Sequence, residues 1–117
     1  MGGAALDRGG AVGRAVNRGE VWWYELPDVG RRPGCIVTRQ AAIPVLNALL
    51  VVPATRTIRG IASEVRLGPQ DGMPSECALA LDNLLPIPKA LLTERITRLG
   101  PAKLAELCRA LGVAAGC

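Results

Sequence analysis

The feature that most limits the fold of this chain is the pattern of its apolar segments, which are short and repeatedly interrupted by turn-forming residues. Six segments of four to seven residues, several rich in β-branched or aromatic side chains, are bounded by Pro, Gly, Asp or Asn. Short apolar runs between such residues are typical of β-strands, whereas helical periodicity occurs in one stretch near the C-terminus. The sequence therefore predicts a mainly β (β-rich α+β) protein, with a string of short strands followed by one helix.

The first two predicted strands form a hairpin. The segment RGEVWWYEL predicts a strand over residues 21–26, and the turn PDVGRR leads to a second strand over residues 35–38. The continuous apolar run over residues 48–54 predicts a third strand, buried on both faces. Further strands are predicted over residues 63–67, 77–81 and 95–99.

The predicted helix begins after Gly100, where Pro101 suits the first helical turn. Four residues recur at helical spacing and predict the inward face, and Gly112 is the predicted end of the helix. The four residues are Leu104, Leu107, Cys108 and Leu111.

A length of 117 residues fits one domain. Residues 1–17 are rich in Gly and Ala without strand alternation, so we expect a flexible leader there and a single domain over residues 18–117. No apolar run approaches the ~20 residues that a membrane helix needs. We therefore expect a cytoplasmic protein with no membrane partner and with reduced thiols.

Composition excludes several kinds of chemistry. The chain has no His, so it offers no imidazole base and no His ligand, and its four Cys show no C-x-x-C spacing. We expect neither a metal nor a cofactor, and we interpret Cys35, Cys77 and Cys108 as small buried apolar residues. The net charge of +4 comes mostly from twelve Arg against two Lys. That ratio favours phosphate recognition, although a high-GC genome produces the same bias.

Four segments, in order, carry a family resemblance: RGEVWWYEL, RRPGCIVTR, VVPATRTIRG and CALALDNLLPIPKALL, followed by the amphipathic helix. From Arg18 onward the chain resembles the MazF/PemK toxins. The resemblance implies an SH3-like, PemK-type small β-barrel with a C-terminal helix. It also implies a homodimeric, metal-independent endoribonuclease that is silenced by a cognate MazE-like antitoxin. Such enzymes cleave single-stranded RNA by attack of the ribose 2′-OH, leaving a 2′,3′-cyclic phosphate and a 5′-OH.

The resemblance also assigns candidate catalytic residues. Arg32 matches the Arg before the Pro of the family's RP motif, and Thr55 matches the Thr that closes the third strand. Asp82 matches a carboxylate used by the plasmid-borne members, but Ala80 stands where those members have the accompanying Arg. An Asp followed by Asn at a strand end is equally typical of a turn. The group that takes the 2′-OH proton stays open: a carboxylate, a perturbed Arg or water.

Basic residues around two of the turns are the candidate RNA-binding surface. We expect one basic face that follows the phosphates, with individually solvated side chains as the alternative. The loop PDVGR is shorter than in many relatives and lacks a Glu that covers their RNA site, so cleavage specificity cannot be transferred. The expected face contains Arg31, Arg32, Arg39, Arg56, Thr57, Arg59 and Arg66.

The aromatic side chains Trp22 and Trp23 are candidates for the antitoxin interface. Neighbouring strand residues point to opposite faces, so the two cannot both be core. Trp23 matches a family Trp near the antitoxin-binding groove, and a core role is the alternative.

Two other functions compete with RNA cleavage. A gyrase-binding toxin like CcdB shares this fold but performs no catalysis; such toxins end in Trp-Gly-Ile, whereas this chain ends in Ala-Gly-Cys. The other is a degenerate member that binds an antitoxin and no longer cuts, since a fold by itself does not establish activity.

Overall fold

Seven antiparallel strands and one α-helix form the regular structure of residues 15–117, the part of the chain that the computed structural model describes. Single turns of 3₁₀ helix occur between them, over Gln40–Val45, Pro69–Asp71, Leu81–Asn83 and Lys89–Leu91. In chain order the main elements are β1 (Glu20–Leu26), β2 (Gly30–Ile36), β3 (Ala48–Thr55), β4 (Glu64–Leu67), β5 (Cys77–Ala80), β6 (Leu85–Pro88), β7 (Leu92–Arg98) and α1 (Pro101–Ala115).

The sheet divides at β3. Its strand order is β4-β5-β3-β2-β1-β7, and β6 pairs with β3 beside this path. The first half of β3, Ala48 to Val51, pairs with β6, whereas its last two residues pair with β5. Because one strand has two successive neighbours on the same side, the sheet curls into a half-barrel, and the mainly β prediction with a C-terminal helix is confirmed.

Each face of the curled sheet buries its own apolar cluster. Strand alternation sends successive side chains of β1, β2 and β3 to opposite faces, and the two clusters follow that alternation. Helix α1 closes the first cluster, to which it contributes Leu107 and Ala110. The first cluster is built around Val21, Cys35, Val52, Val65, Leu79 and Leu107, and the second around Trp22, Tyr24, Ile36, Leu49, Val51 and Leu92.

The hairpin strands are longer than the sequence predicted. β2 begins at Gly30 and not at residue 35, so Arg31 and Arg32 are strand residues rather than turn residues. The turn contains three residues, 27–29, and Gly30 has a φ of 87°, a conformation that glycine adopts readily. Full pairing of Leu26 with Gly30 fixes the register of the hairpin from its first residue.

Two further predictions about the sheet were wrong. The segment LPIP forms β6, a strand that the prolines concealed. β6 pairs only with β3 within residues 15–117, so it is an edge strand, where a missing N–H is tolerated. The run over residues 48–54 is not buried on both faces along its whole length either, because Ala48 and Leu50 in its first half are exposed, Leu50 by 44%.

The helix continues past its predicted end. Gly112 lies within α1, and Gly116, in the left-handed conformation, caps its C-terminus. Leu107 and Ala110 are buried and Leu104 and Leu111 are half-buried, so the inward face follows those positions. Cys108 is exposed, which makes its assignment to the inward face wrong, whereas the buried positions of Cys35 and Cys77 are confirmed.

The packed part of the chain starts before Arg18. Val16 is 6% exposed and belongs to the second cluster, and Asn17 hydrogen-bonds Glu20 through its backbone and its side chain. These contacts place residues 16 and 17 with the domain rather than with a leader. The rest of the predicted leader, residues 1–14, lies outside the described residues.

Candidate active site

A groove of about 800 Å³ opens where β2 begins and β3 ends. One wall comes from the hairpin β1–β2, the floor from the end of β3, and the other wall from the segment between β4 and β5. The short turn at residues 27–29 leaves the groove open, since only Val29 of that turn lines it. Its polar lining includes Tyr24, Arg31, Arg32, Thr55, Arg56, Thr57, Ser75 and Asn83.

The pairing of β2 with β3 brings the two principal candidates to one groove. Arg32 lies on its hairpin wall, and Thr55 lies on its floor. Gly34 pairs with Pro53 at the last position of the β2–β3 ladder, and Arg32 and Thr55 each lie two residues beyond that pair on their strands. Residues two apart on a strand share a face, so both side chains project from the same side of the sheet. Both line the groove, although they are twenty-three positions apart in the chain.

The Arg32 guanidinium is available to a ligand. Arg32 is exposed, and no carboxylate of residues 15–117 forms an ion pair with it. The Thr55 hydroxyl accepts a hydrogen bond of 3.1 Å from the Thr57 N–H, which tightens the turn after β3. That bond uses a lone pair of the oxygen, so the Thr55 O–H remains free to donate into the groove.

Arg31 and Trp23 form the rim of the groove on the hairpin side. The Arg31 guanidinium carbon lies 4.4 Å from the centre of the Trp23 ring, and its Nη2 pairs with Glu94 at 2.9 Å. Both contacts hold Arg31 in place at the surface, and cation–π stacking of this kind is favourable by about 0.5 to 1 kcal/mol at exposed sites. Trp23 is half-buried, so its exposed part can contact a partner.

The predicted basic face is only partly assembled. Arg31, Arg32 and Arg56 line the groove, and Arg59 lines a smaller pocket beside it. Arg39 lies beyond the far end of β2. Arg66 is outside the groove, and its guanidinium lies 3.8 Å from the Glu76 carboxylate. Arg39 and Arg66 are therefore not among the residues that line the groove, and their part in RNA binding stays a prediction.

Asp82 is not brought together with Arg32. It lines the smaller pocket, of about 70 Å³, which shares Thr55, Thr57, Ala80 and Asn83 with the groove. Its Oδ2 accepts a hydrogen bond of 2.6 Å from the Ser63 hydroxyl, which ties the 3₁₀ turn after β5 to the start of β4. This hydrogen bond gives Asp82 a structural role that requires no substrate.

Trp22 lies in the core, so the expectation that it contacts a partner does not fit this conformation. The side chain is 3% exposed, and its indole N–H donates to Oε1 of the fully buried Glu20 at 3.0 Å. Oε2 of Glu20 accepts from Arg95 at 3.1 Å and from the Asn17 amide at 3.1 Å. Burial by itself raises the pKa of this carboxyl, but the hydrogen bonds from Trp22, Asn17 and Arg95 together outweigh it and lower the pKa.

Sequence reasoning missed Tyr24 as a groove residue. Tyr24 pairs directly with Arg32 across the hairpin, and it lines the groove although it is only 3% exposed. Burial raises the pKa of its hydroxyl, and the nearby Arg32 charge opposes that rise. Strand alternation from a correctly placed β2 was the signal that could have found it.

The two buried thiols are poor nucleophiles. Burial raises the pKa of Cys35 to about 12, despite the opposing charge of Arg18. Cys77 lines the groove, but burial raises the pKa of its thiol, and the negative charges of Glu76 and Asp71 raise it further. Both thiols are therefore protonated at neutral pH.

Within residues 15–117, no three side chains of His, Cys, Asp or Glu lie close enough together to hold a metal ion. In the same part of the chain, no helix has both the length and the apolar character to cross a membrane.

Comparison with known sequences gives a consistent result. Residues 17–114 match the family described as the PemK-like, MazF-like toxin of type II toxin-antitoxin systems. The protein named Probable endoribonuclease MazF5 of Mycobacterium tuberculosis is 46% identical over 101 residues, covering 86% of this chain and 93% of the relative. Probable endoribonuclease MazF2 of the same species is 39% identical over 103 residues, covering 87% and 100%.

Solved structures show the same likeness. A mycobacterial endoribonuclease in complex with its cognate antitoxin superimposes with a TM-score of 0.80 at 28% identity, covering 87% of this chain and 96% of that chain. The Mycobacterium tuberculosis toxin MazF-mt6 gives a TM-score of 0.76 at 30% identity, covering 83% and 96%. With a family match over nearly all the described residues, the chain belongs to the PemK/MazF family of type II toxin-antitoxin toxins.

Proposed function

We propose that this chain is the toxin of a type II toxin-antitoxin pair and that it cleaves single-stranded RNA in the groove between β2 and β3. The reaction is metal-independent attack of the ribose 2′-OH on the adjacent phosphorus, leaving a 2′,3′-cyclic phosphate and a 5′-OH. The proposal depends on one observation above all: Arg32, with no ion-pair partner among residues 15–117, and Thr55 line the same groove.

The chemistry assigned to each residue follows from its donors. The planar Arg32 guanidinium offers two parallel N–H donors to the non-bridging phosphate oxygens, where negative charge grows as the phosphorane forms. The Thr55 hydroxyl, whose oxygen already accepts from the Thr57 N–H, donates a further hydrogen bond to the phosphate. Arg56, without an ion pair in the described residues, attracts a neighbouring phosphate along the strand.

The related proteins support RNA cleavage over the alternative of gyrase binding. The MazF5 and MazF2 proteins named above are both described as endoribonucleases. A degenerate toxin would lack a complete site, whereas this groove retains both Arg32 and Thr55. These observations favour a working nuclease.

Partners follow from the same relationship. A related structure contains an endoribonuclease with its cognate antitoxin, so we expect a MazE-like antitoxin here as well. The Trp23 and Arg31 rim is the proposed contact, since an antitoxin segment seated there would cover the groove entrance. A homodimer and a cytoplasmic location stay predictions, which gel filtration with light scattering and cell fractionation would test.

Incubation of a long mixed-sequence RNA with the purified chain in EDTA tests the proposal. We expect discrete cuts whose downstream fragments accept phosphate from a polynucleotide kinase directly, because their 5′ ends carry hydroxyls. Mapping those ends gives the recognition sequence. The upstream fragments should carry cyclic phosphates.

Matched variants purified in parallel control for contaminating nucleases. Arg32→Ala should leave the RNA intact, and Arg39→Ala, which removes a similar exposed charge far from the groove, should cut like the wild type. Intact RNA with the folded wild-type protein, or equal cutting by all three proteins, contradicts the proposal.

A further inference from the structure

Proton transfer in this groove has to be done without a carboxylate. The leaving 5′ oxygen needs a proton, and no Asp or Glu is among the residues that line the groove. The titratable side chains in that lining are Tyr24, Cys77 and three Arg. Burial and the charges of Glu76 and Asp71 raise the pKa of the Cys77 thiol, and the other neutral acid in the lining is the phenol of Tyr24, which is far more acidic than the hydroxyls of Ser and Thr.

The position of Tyr24 suits that task. It pairs directly with Arg32 across the β1–β2 hairpin, so the two side chains leave the sheet on the same face. Its ring lies across Gly34: a Cβ added at Gly34 would be 2.9 Å from the Tyr24 ring carbon Cε2 and would clash with Val51 Cγ1. The missing side chain at Gly34 therefore lets the ring cross β2 towards β3, the strand that ends at Thr55.

The hydroxyl of Tyr24 is free to meet a ligand. No group of residues 15–117 hydrogen-bonds it. No side-chain oxygen or nitrogen in that part of the chain is both sealed from solvent and unpaired, so the hydroxyl must reach the groove. A buried aromatic ring with an accessible, unpaired hydroxyl is unusual, because buried tyrosines normally bond their O–H.

We propose that Tyr24 is a catalytic general acid that protonates the leaving 5′ oxygen, an assignment that depends on the proposed nuclease function. As the O2′–P bond forms, the P–O5′ bond breaks and the Tyr24 proton passes to O5′. The 2′-OH proton leaves to water, and the Tyr24 phenolate then recovers a proton from water, so no proton is gained or lost overall. The Arg32 guanidinium beside it stabilises the transient phenolate.

The electrostatics agree with the role of an acid rather than a base. Burial raises the pKa of Tyr24 above its ordinary value of 10.0, and Arg32 opposes that rise. The phenol is therefore protonated at neutral pH before each turnover. A tyrosine that had to accept the 2′-OH proton would have to be ionised beforehand, which requires a lowered pKa.

Tyr24→Phe tests the proposal, because it removes the hydroxyl and keeps the ring. Two oligonucleotides on one mapped cleavage site are compared, with oxygen or sulfur as the bridging 5′ atom. A thiolate leaves without a proton, so a general acid matters only for the oxygen substrate. We expect Tyr24→Phe to lower kcat about 100-fold on the oxygen substrate with little change in KM, and to match the wild type on the sulfur substrate.

The controls separate this role from a structural one. Arg32→Ala should be slow on both substrates, because it stabilises the phosphorane whatever the leaving atom is. Glu25→Gln, which changes an exposed side chain of the same strand outside the groove lining, should keep wild-type rates on both. Thermal unfolding of Tyr24→Phe confirms that the variant is folded.

Three results overturn the assignment. Wild-type rates for Tyr24→Phe on the oxygen substrate, or equal slowing on both substrates, exclude a general acid while leaving the nuclease intact. Failure of the wild-type protein to cut either substrate removes the nuclease proposal and the role of Tyr24 with it.

Discussion

The two ends of β1 differ in how their polar side chains are paired. At its start, Glu20 is fully buried and accepts four hydrogen bonds, from Asn17, Trp22 and Arg95. Near its other end, Tyr24 has no hydrogen-bond partner within residues 15–117, and Arg32 across the hairpin has no ion pair there. The first arrangement has satisfied every polar group internally, whereas the second leaves donors for something else to satisfy.

This difference separates polar groups that stabilise the fold from those that bind a ligand. Polar groups that face solvent need no partner within the protein, so the Tyr24 hydroxyl and the Arg32 guanidinium stay available to a ligand. The Glu20 cluster should therefore affect stability without affecting RNA cleavage, and the groove should do the reverse. Four measurements can break or sharpen that contrast.

The largest effect is expected from Arg32→Ala. Loss of the guanidinium should lower kcat/KM for RNA about 10²- to 10³-fold, as removal of one preorganised donor to a developing anion does. Because Arg32 is exposed and unpaired in the described part of the chain, the free energy of unfolding should change by less than about 0.5 kcal/mol. Urea unfolding and initial cleavage rates measure both, and a large loss of stability would contradict the contrast.

Glu20→Gln should produce the opposite result. The Gln side chain places an N–H₂ donor where the carboxylate had accepted hydrogen bonds from Asn17, Trp22 and Arg95. Because donors then face donors, we expect the free energy of unfolding to fall by about 2 kcal/mol. The melting temperature should fall on the order of 10 °C. Glu25→Gln, an exposed carboxylate on the same strand, is the matched control and should melt like the wild type. Cleavage per folded molecule should be unchanged in both variants.

The pH dependence of stability sharpens the assignment to Glu20. The pKa of Glu20 in the folded protein lies below its ordinary value of 4.5. The ionised carboxylate therefore stabilises the fold fully above pH 4.5, and this stabilisation is lost as the pH falls through the pKa of the folded state. The gap in unfolding free energy between the wild type and Glu20→Gln should therefore narrow as the pH falls below 4.5. A gap that is constant over that range would mean that the Glu20 charge is not the stabilising feature.

The sequence predicts the site better than it predicts the surface around it, and the residues show why. Arg32 and Thr55 are each marked by a local motif, and the antiparallel pairing of β2 with β3 then brings them to one groove. Arg39 and Arg66 look equally suitable in the sequence. Neither lines the groove, because Arg39 follows the far end of β2 and Arg66 lies within β4 and pairs with Glu76, and these positions depend on the topology.

Local structure was missed where two signals conflicted. The prolines of β6 argue against a strand, yet they are tolerated because that strand is an edge paired only with β3 in the described residues. Cys108 fits the helical spacing, but the inward face of α1 continues at Ala110, so the thiol turns outward. Tyr24 was missed because β2 was predicted to begin after Arg32, which removed its cross-strand partner.

The smallest effect compares two arginines that differ in pairing. Arg56 lines the groove and has no ion pair in the described residues. Arg66 lies outside the groove, with its guanidinium 3.8 Å from the Glu76 carboxylate. RNA carrying a 2′-deoxy sugar at the cleavage position permits binding to be measured without cutting. Arg56→Ala should lower the steepness of log Kd against log salt by about 0.7, the value for one phosphate contact on a single strand.

Arg66→Ala should leave that salt slope unchanged, because its charge is outside the groove and is already balanced by Glu76. Equal slopes for both variants would mean that RNA is attracted by the net charge of +4 as a whole rather than by the groove. A lower salt slope for Arg56→Ala alone would extend the contrast between paired and unpaired side chains from β1 to the basic surface. The same residue type would then bind RNA only where the fold leaves it without a partner.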